Sequence, residues 1–340
     1  MTKFSVLDLA PIVEGDTATS AFRNALDLAQ HAERWGYRRF WMAEHHSMPG
    51  VASAATAVAL AHIGAGTSTI RIGAGGIMLP NHSPLVIAEQ FGTLEALYPG
   101  RVDLGLGRAP GTDQAAAQAL RRNLDTDPNQ FPRDVLELMD YFRAPEAGQR
   151  VRAIPGEGLD IPIWILGSSL FGAQLAAMLG LPYAFASHFA PQQMMDAIRV
   201  YRESFRPSER LGEPYLMLGF NVFAADTNEE AQLLATSLQQ AFVNLRSGRP
   251  TPLQPPVPNY LESLPLSQRA MLEQLFSCSA IGAPETVAAS IEAFVTRTGA
   301  DELMITSQIH DHKARLRSFE IVADLIDPEQ GRGSLAEFPR

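Results

Sequence analysis

One cysteine, Cys278, is all that the 340-residue chain carries, so an intramolecular disulfide and a cysteine-built metal cage are excluded. Basic runs are missing too. Only the pairs Arg38–Arg39, Arg121–Arg122 and Arg315/Arg317 occur, in a chain of formal net charge −10. Phosphate backbones need a cationic surface, so nucleic acid is not expected as a partner. The most apolar window, "VASAATAVALAHIGAG", is too short and too rich in alanine and glycine for a membrane span. The N-terminus, "MTKFSVLDLAP", lacks the apolar stretch and small-residue exit of a signal peptide, which predicts a cytoplasmic protein.

Two missing motifs narrow the chemistry. The glycines "GAGG" (73–76) invite a dinucleotide-binding reading, but a G-x-G-x-x-G begun at Gly73 would need glycine where Met78 stands. Begun at Gly105, it meets Pro110. No nicotinamide fingerprint is present. No G-x-S-x-G elbow occurs either, which weakens a serine-hydrolase reading. Glycines inside a strand suggest instead that something flat or bulky lies against the backbone there.

What is there is a core-rich composition, 46% hydrophobic against 19% charged, with strand and helix in alternation. Eight strands are predicted, at 3–9, 37–43, 69–77, 101–107, 161–167, 181–187, 215–224 and 301–306. Between them the helical pattern recurs, first at 19–36 with Thr19 near the N-cap and Gly36 at the end, and last at 312–326. Eight βα units in one chain predict an α/β fold, a closed (β/α)8 TIM barrel forming a single domain over 1–340. Two connections exceed a minimal barrel, at 108–130 and 246–280, the second rich in proline. Both follow strand C-terminal ends, where barrel enzymes build their sites, and the second is expected to act as a mobile lid.

Polar and glycine residues gather at that rim. Asp8 ends the first strand, Glu44-His45-His46 follow the second, and "GAGGIMLPNHSP" closes the third. "GRAPGTD" follows the fourth, "GSSLFG" the fifth and "SHFAP" the sixth. In "ILGSSLFG" a strand ends at Gly167 and a small-residue helix starts behind Ser168 and Ser169. Free N–H groups, two hydroxyls and a positive helix end can hold a phosphate, although a serine there can equally be a plain helix cap. Arg108 could add the matching charge, or stand solvated at a loop start. His45 and His46 are adjacent on an extended chain and point to opposite sides, so the pair is a poor chelate for one metal. His82 and His188 could join a metal site only through tertiary folding, and no metal is expected. Rim placement favours an acid/base role for one histidine of the pair, without choosing which.

With "SVLDLAP", "FWMAEHHSMPG", "GAGGIMLPNHSPLVIAEQFGTLEALYPGRVDLGLGRAPGTD", "PIWILGSSLFGAQLAAMLGLPYAFASHFAP" and "IGAPETVA" in order, the chain resembles the bacterial luciferase-like, flavin-dependent monooxygenases, closest to the alkanal-monooxygenase type. The resemblance implies a two-component enzyme. It would take reduced FMN (FMNH2) from a separate NAD(P)H:flavin reductase, combine it with O2, and oxygenate a small organic substrate through a C4a-(hydro)peroxyflavin. It implies that His45 is the catalytic histidine with Glu44 beside it, and that Ser168, Ser169, Phe171 and Gly172 form the phosphate turn. Arg108 would lie on the phosphate side, and Ala74-Gly75-Gly76 would lie behind the flavin ring, where relatives often carry a non-prolyl cis peptide. A homodimer is also implied. Two departures stand out, Gly107 where luciferase has a reactive cysteine and Ser168 where it has a glutamate, so light emission is not expected. The alternatives are an F420-dependent hydride-transfer enzyme of the same fold, a flavin-binding protein without turnover, and a metal-dependent barrel hydrolase.

Overall fold

Strand and helix alternate through the computed structural model, which describes residues 2–108, 114–120 and 130–325. The first half runs β1 (Lys3–Asp8), α1 (Ala18–Arg34), β2 (Arg39–Met42), α2 (Thr56–Ala65), β3 (Arg71–Met78), α3 (Pro84–Leu97), β4 (Val102–Gly107), α4 (Gln114–Leu120) and α5 (Phe131–Tyr141). Next come β5 (Ile163–Gly167), α6 (Leu170–Leu179), β6 (Tyr183–Phe185), α7 (Met194–Ser204), β7 (Leu216–Ala224) and α8 (Asn228–Arg246). The chain then adds α9 (Tyr260–Ser263), α10 (Leu266–Leu275), β8 (Ser279–Gly282), α11 (Pro284–Thr298), β9 (Glu302–Thr306) and α12 (His312–Ala323). Residues 109–113 and 121–129 of the expected 108–130 connection, and position 326 of the expected last helix, lie outside the described residues.

All strand pairings are parallel, and β6 pairs β7 while β9 returns to β1, so eight strands close a (β/α)8 barrel. Parallel pairing puts every strand's C-terminal end on one rim. The strand count is one higher than the sequence predicts. The ninth, β8, straddles the end of the 246–280 connection and pairs only with the outer half of β7, from Asn221–Ser279 to Ala224–Gly282. The same connection holds α9 and α10, with Leu272 and Leu275 buried against Phe223 and Phe242 in a satellite core. Its stretch 251–253 lies on the rim: Leu253 bridges Val13, its N–H donates to the Ile12 carbonyl at 2.9 Å, and Thr251 abuts Gly50.

Local chemistry explains the helix starts. The first helix is capped by Thr17, not Thr19, because the Thr17 hydroxyl accepts from the Ser20 N–H. Ala21, Ala25, Leu28, Ala29 and Ala32 then line its buried face at helical spacing. Gly36 follows at φ 80°, a left-handed turn that glycine makes without steric cost.

Inside the barrel, inward-facing residues stack in layers. The floor, at the strand N-terminal ends, is ionic. Arg39 donates to Asp103 and Glu302, each at 2.8 Å, while Arg71 reaches Asp103 at 2.7 Å and Tyr215 donates to Glu302 at 2.8 Å. Burial opposes the Arg39 charge, but the two carboxylates outweigh it and raise its pKa. Above the floor Trp41 and Trp164 meet edge to face, 5.2 Å apart, within a cluster of Leu7, Ala43, Ala184, Met217 and Met304. The Trp41 indole fills the space left by two glycines: a Cβ on Gly73 would sit 2.6 Å from its Nε1, and one on Gly75 2.8 Å from its ring. The flat object expected against these glycines is therefore, on this side, a side chain of the protein.

Breaking a buried ion network at one member strands the others. Arg39→Met is expected to lower unfolding free energy by about 3–5 kcal/mol in urea titration, leaving buried Glu302 without its close cation and buried Asp103 with Arg71 alone. Adding Asp103→Asn and Glu302→Gln to that variant is expected to recover part of the loss.

Candidate active site

The second strand delivers its polar ending to the rim as a fixed assembly. Glu44 is 1% exposed, and its carboxylate is filled by donors. Oε1 accepts from His46 Nε2 at 2.7 Å, His82 Nε2 at 2.9 Å and Asn81 Nδ2 at 3.3 Å. Oε2 accepts from the Met78 N–H at 2.9 Å and from His82 Nε2 at 3.0 Å. A carboxylate only accepts, so both imidazoles must carry their proton on Nε2. Burial pushes the Glu44 pKa up, but the hydrogen bonds and charge of His82, then His46 and the Met78 N–H, bring it below the usual value. Glu44 thus holds two imidazoles and the exit of β3, and it has no free face for acid/base work. The same residue ties the two strands by backbone, its N–H donating to the Gly76 carbonyl at 3.2 Å. Ser47, directly after His46, adopts φ 57° and turns the chain away.

His45 is half-buried, and a positive charge on it would disfavour one on His188. Of the neighbouring pair, His46 turns to Glu44. Asp8, at the end of β1, is not a free rim group. It is buried and paired with Arg315 of α12 at 2.7 Å, while the Ala10 N–H donates to the same oxygen at 2.9 Å.

At β3 the peptide between Gly75 and Gly76 is cis. Ala74 is fully buried, and a Cβ on Gly76 would meet the Gly105 carbonyl at 2.6 Å. Gly105 in turn could carry no Cβ, which would lie 2.3 Å from the Ala74 carbonyl. The glycines of β3 and β4 therefore serve close backbone packing within the wall.

The expected phosphate turn is open. Ser169 is the N-cap of α6 with extended backbone (φ −147°, ψ 170°), and its hydroxyl makes no cap hydrogen bond. Ser168 is exposed, so both hydroxyls are uncommitted to the helix. The backbone of the turn is fixed from below, since Tyr183 OH donates to the Ser169 carbonyl at 3.2 Å. Gly172 packs on Gly167 and Tyr183 with no room for a large side chain. Arg108 converges on the turn, its guanidinium 4.2 Å from the Phe171 ring centroid. Free first-turn N–H groups, two hydroxyls and one cation form a set suited to an anion. Among the described residues no group of three or more His, Cys, Asp or Glu side chains is placed to hold a metal ion, and no helix is long and apolar enough to cross a membrane. Sequence reading did not anticipate Asn81 and the Met78 N–H as partners of Glu44, because hydrogen bonds between loops leave no spacing signal.

The lowered pKa of Glu44 has a consequence for stability. Its ionised form stabilises the fold above the ordinary value of 4.5, and that contribution is lost as pH falls through the folded-state pKa. Glu44→Gln is expected to cost about 1–3 kcal/mol at neutral pH by leaving donors unpaired. Its stability should also fall less steeply than wild type on acidification, read from urea midpoints across pH.

Comparison with known proteins gives the following. The model of the luciferase-like monooxygenase family matches residues 2–302. A luciferase-like monooxygenase of Escherichia coli strain K12 is 54% identical over 322 residues, covering 95% of this chain and 96% of its own length. The Bacillus subtilis strain 168 protein YvbT is 55% identical over 325 residues, covering 95% and 96%. The N-acetyl-S-alkylcysteine monooxygenase of that strain is 36% identical over 255 residues, covering 73% and 75%. Among solved structures, apo-MsnO8 superposes with TM-score 0.85 at 34% identity, covering 96% of this chain and 99% of its own. Two more distant structures share the fold. One is the oxygenating constituent of 3,6-diketocamphane monooxygenase from Pseudomonas putida in complex with FMN, at TM-score 0.70, 18% identity and coverage of 96% and 98%. The other is an F420-dependent secondary alcohol dehydrogenase, at TM-score 0.68, 15% identity and coverage of 94% and 97%.

Proposed function

The chain belongs to the luciferase-like monooxygenase family, and from that premise we propose that it is an FMN-dependent monooxygenase of the two-component kind. It takes FMNH2 made by a separate NAD(P)H:flavin reductase, together with O2, and oxygenates a small organic substrate. The observation that carries this reading is the convergence of Arg108 on an uncapped serine turn, on the same rim as His45. The absence of a nicotinamide fingerprint supports a separate source of reducing equivalents.

The residues present suit the cofactor. Arg108, the Ser168 and Ser169 hydroxyls, and the N–H groups of Phe171 and Gly172 hold the FMN phosphate. The Ala74–Gly76 backbone of β3 would lie behind its ring. Reduced FMN supplies the electrons that activate O2. The protein's share is to orient, to exclude water and to move a proton. His45 is the group for the last task. Glu44 fixes His46 and His82 and so holds the wall in which His45 stands. Residues 246–280, anchored at Leu253 and α10, wall the mouth beside the loops after β1 and β2.

Two chains are proposed to pair through α2 and α3. Val58, Val86 and Leu97 on these helices are 73%, 43% and 58% exposed, apolar side chains that a partner copy would cover. Sedimentation should give a dimer for wild type and a monomer for a Val58→Glu/Leu97→Glu variant.

Supplied with chemically reduced FMN and O2, His45→Ala is expected to lose roughly 10²–10⁴-fold in turnover, the usual worth of a positioned acid/base group. Unchanged turnover would remove His45 from the chemistry. Arg108→Ala should weaken FMN binding roughly 10- to 100-fold in fluorescence titration, as expected for one charge-assisted contact. Hydride transfer on F420, with no use of FMN, would replace this reading by the deazaflavin one.

A further inference from the structure

His188 is a histidine that the family reading leaves without a task. It follows β6 and bends back into the barrel over β7. A Cβ on Gly219 would lie 1.9 Å from His188 Nδ1, so the ring occupies the space that this glycine leaves. Two side chains pin the segment to β7: Ser187 Oγ donates to the Gly219 carbonyl at 2.6 Å, and Asn221 Nδ2 donates to the His188 carbonyl at 2.8 Å. The ring is therefore placed by design of the wall, with χ freedom removed on one side.

Its two nitrogens differ. Nδ1 is buried against the wall and has no hydrogen-bond partner. Nε2 is not among the buried unpartnered atoms, and the residue as a whole remains half-buried, so this edge is the accessible one. A neutral imidazole carries one proton. An N–H buried without an acceptor forfeits a hydrogen bond that water would supply, so the proton belongs on the accessible nitrogen. Burial, then the charge of His45, holds the His188 pKa down at about 4, and the ring stays uncharged at neutral pH.

We infer that His188 is a further ligand-binding residue of the mouth, an uncharged Nε2–H donor to a carbonyl oxygen, seated in the space left by Gly219. The inference rests on the monooxygenase reading for the identity of what enters the mouth. An uncharged donor favours an uncharged acceptor over a carboxylate or sulfonate, which would gain from a cation instead. The carbonyl belongs to the organic substrate or to the flavin ring, and these two sources separate experimentally.

The test uses the full-length protein. In ¹⁵N-histidine NMR of the flavin-free protein, His188 should be neutral with its proton on Nε2 from about pH 5 to 8, where an ordinary histidine titrates. His188→Phe keeps the aromatic packing and removes the donor. It should raise KM for the substrate roughly tenfold with kcat held, if the acceptor is the substrate carbonyl, or weaken oxidised FMN binding roughly tenfold, if it is the ring. His188→Gln should restore part of either loss. Gly219→Ala should displace the ring and shift its NMR signals. A proton on Nδ1, a cationic ring at pH 6, or His188→Phe leaving both affinities unchanged would overturn the inference. A wild type inactive on every substrate, but showing this tautomer and an FMN affinity lowered by His188→Phe, would fail the proposed activity and leave the donor standing.

Discussion

The buried carboxylate of Glu44 is the constraint on which the candidate site depends. Placing an ionised group at 1% exposure costs several kcal/mol unless donors surround it, and here they come from four residues on two segments. Meeting that demand brings Asn81 and His82 down onto the rim, fixes the tautomer of two imidazoles and ties the end of β2 to the end of β3. His45 is carried on the same few residues.

Beneath the rim the barrel is filled rather than hollow. An ion network forms its floor, two indoles form the next layer, and Gly73 and Gly75 of β3 make the room that Trp41 needs. Sites built on such a wall inherit its rigidity, because interiors packed at crystal density do not yield gradually. The turn at Ser168–Gly172 draws on the same support through Tyr183, and His188 draws on it through Gly219.

Much of this was legible in the residues. Eight apolar strands with helical stretches between them read as a closed parallel barrel, and that architecture alone places "EHH", "GRAP" and "GSSLFG" on one rim. Cap chemistry located the start of α6, although at the first helix it pointed to Thr19 when Thr17 makes the bond. β8 was not legible, since four residues at the end of a proline-rich connection carry too little pattern to read as a strand. Nor was the role of Glu44, because its partners at 78, 81 and 82 approach through tertiary packing. Asp8 read as a rim residue, yet its partner Arg315 lies at the far end of the chain. The glycines "GAGG" signalled close contact correctly, but only the fold shows that Trp41 makes it.

In the proposed reaction this rim activates oxygen with reduced FMN and delivers one atom to an organic substrate. Its most direct test is to mix the protein with pre-formed FMNH2 and ¹⁸O2 in the presence of aldehydes, ketones, thioethers and aromatic compounds, and to weigh the products. One ¹⁸O atom in a product, formed only when protein and FMNH2 are both present, is the predicted result. Products without label, or substrate turnover that proceeds only by hydride exchange with F420, would contradict it.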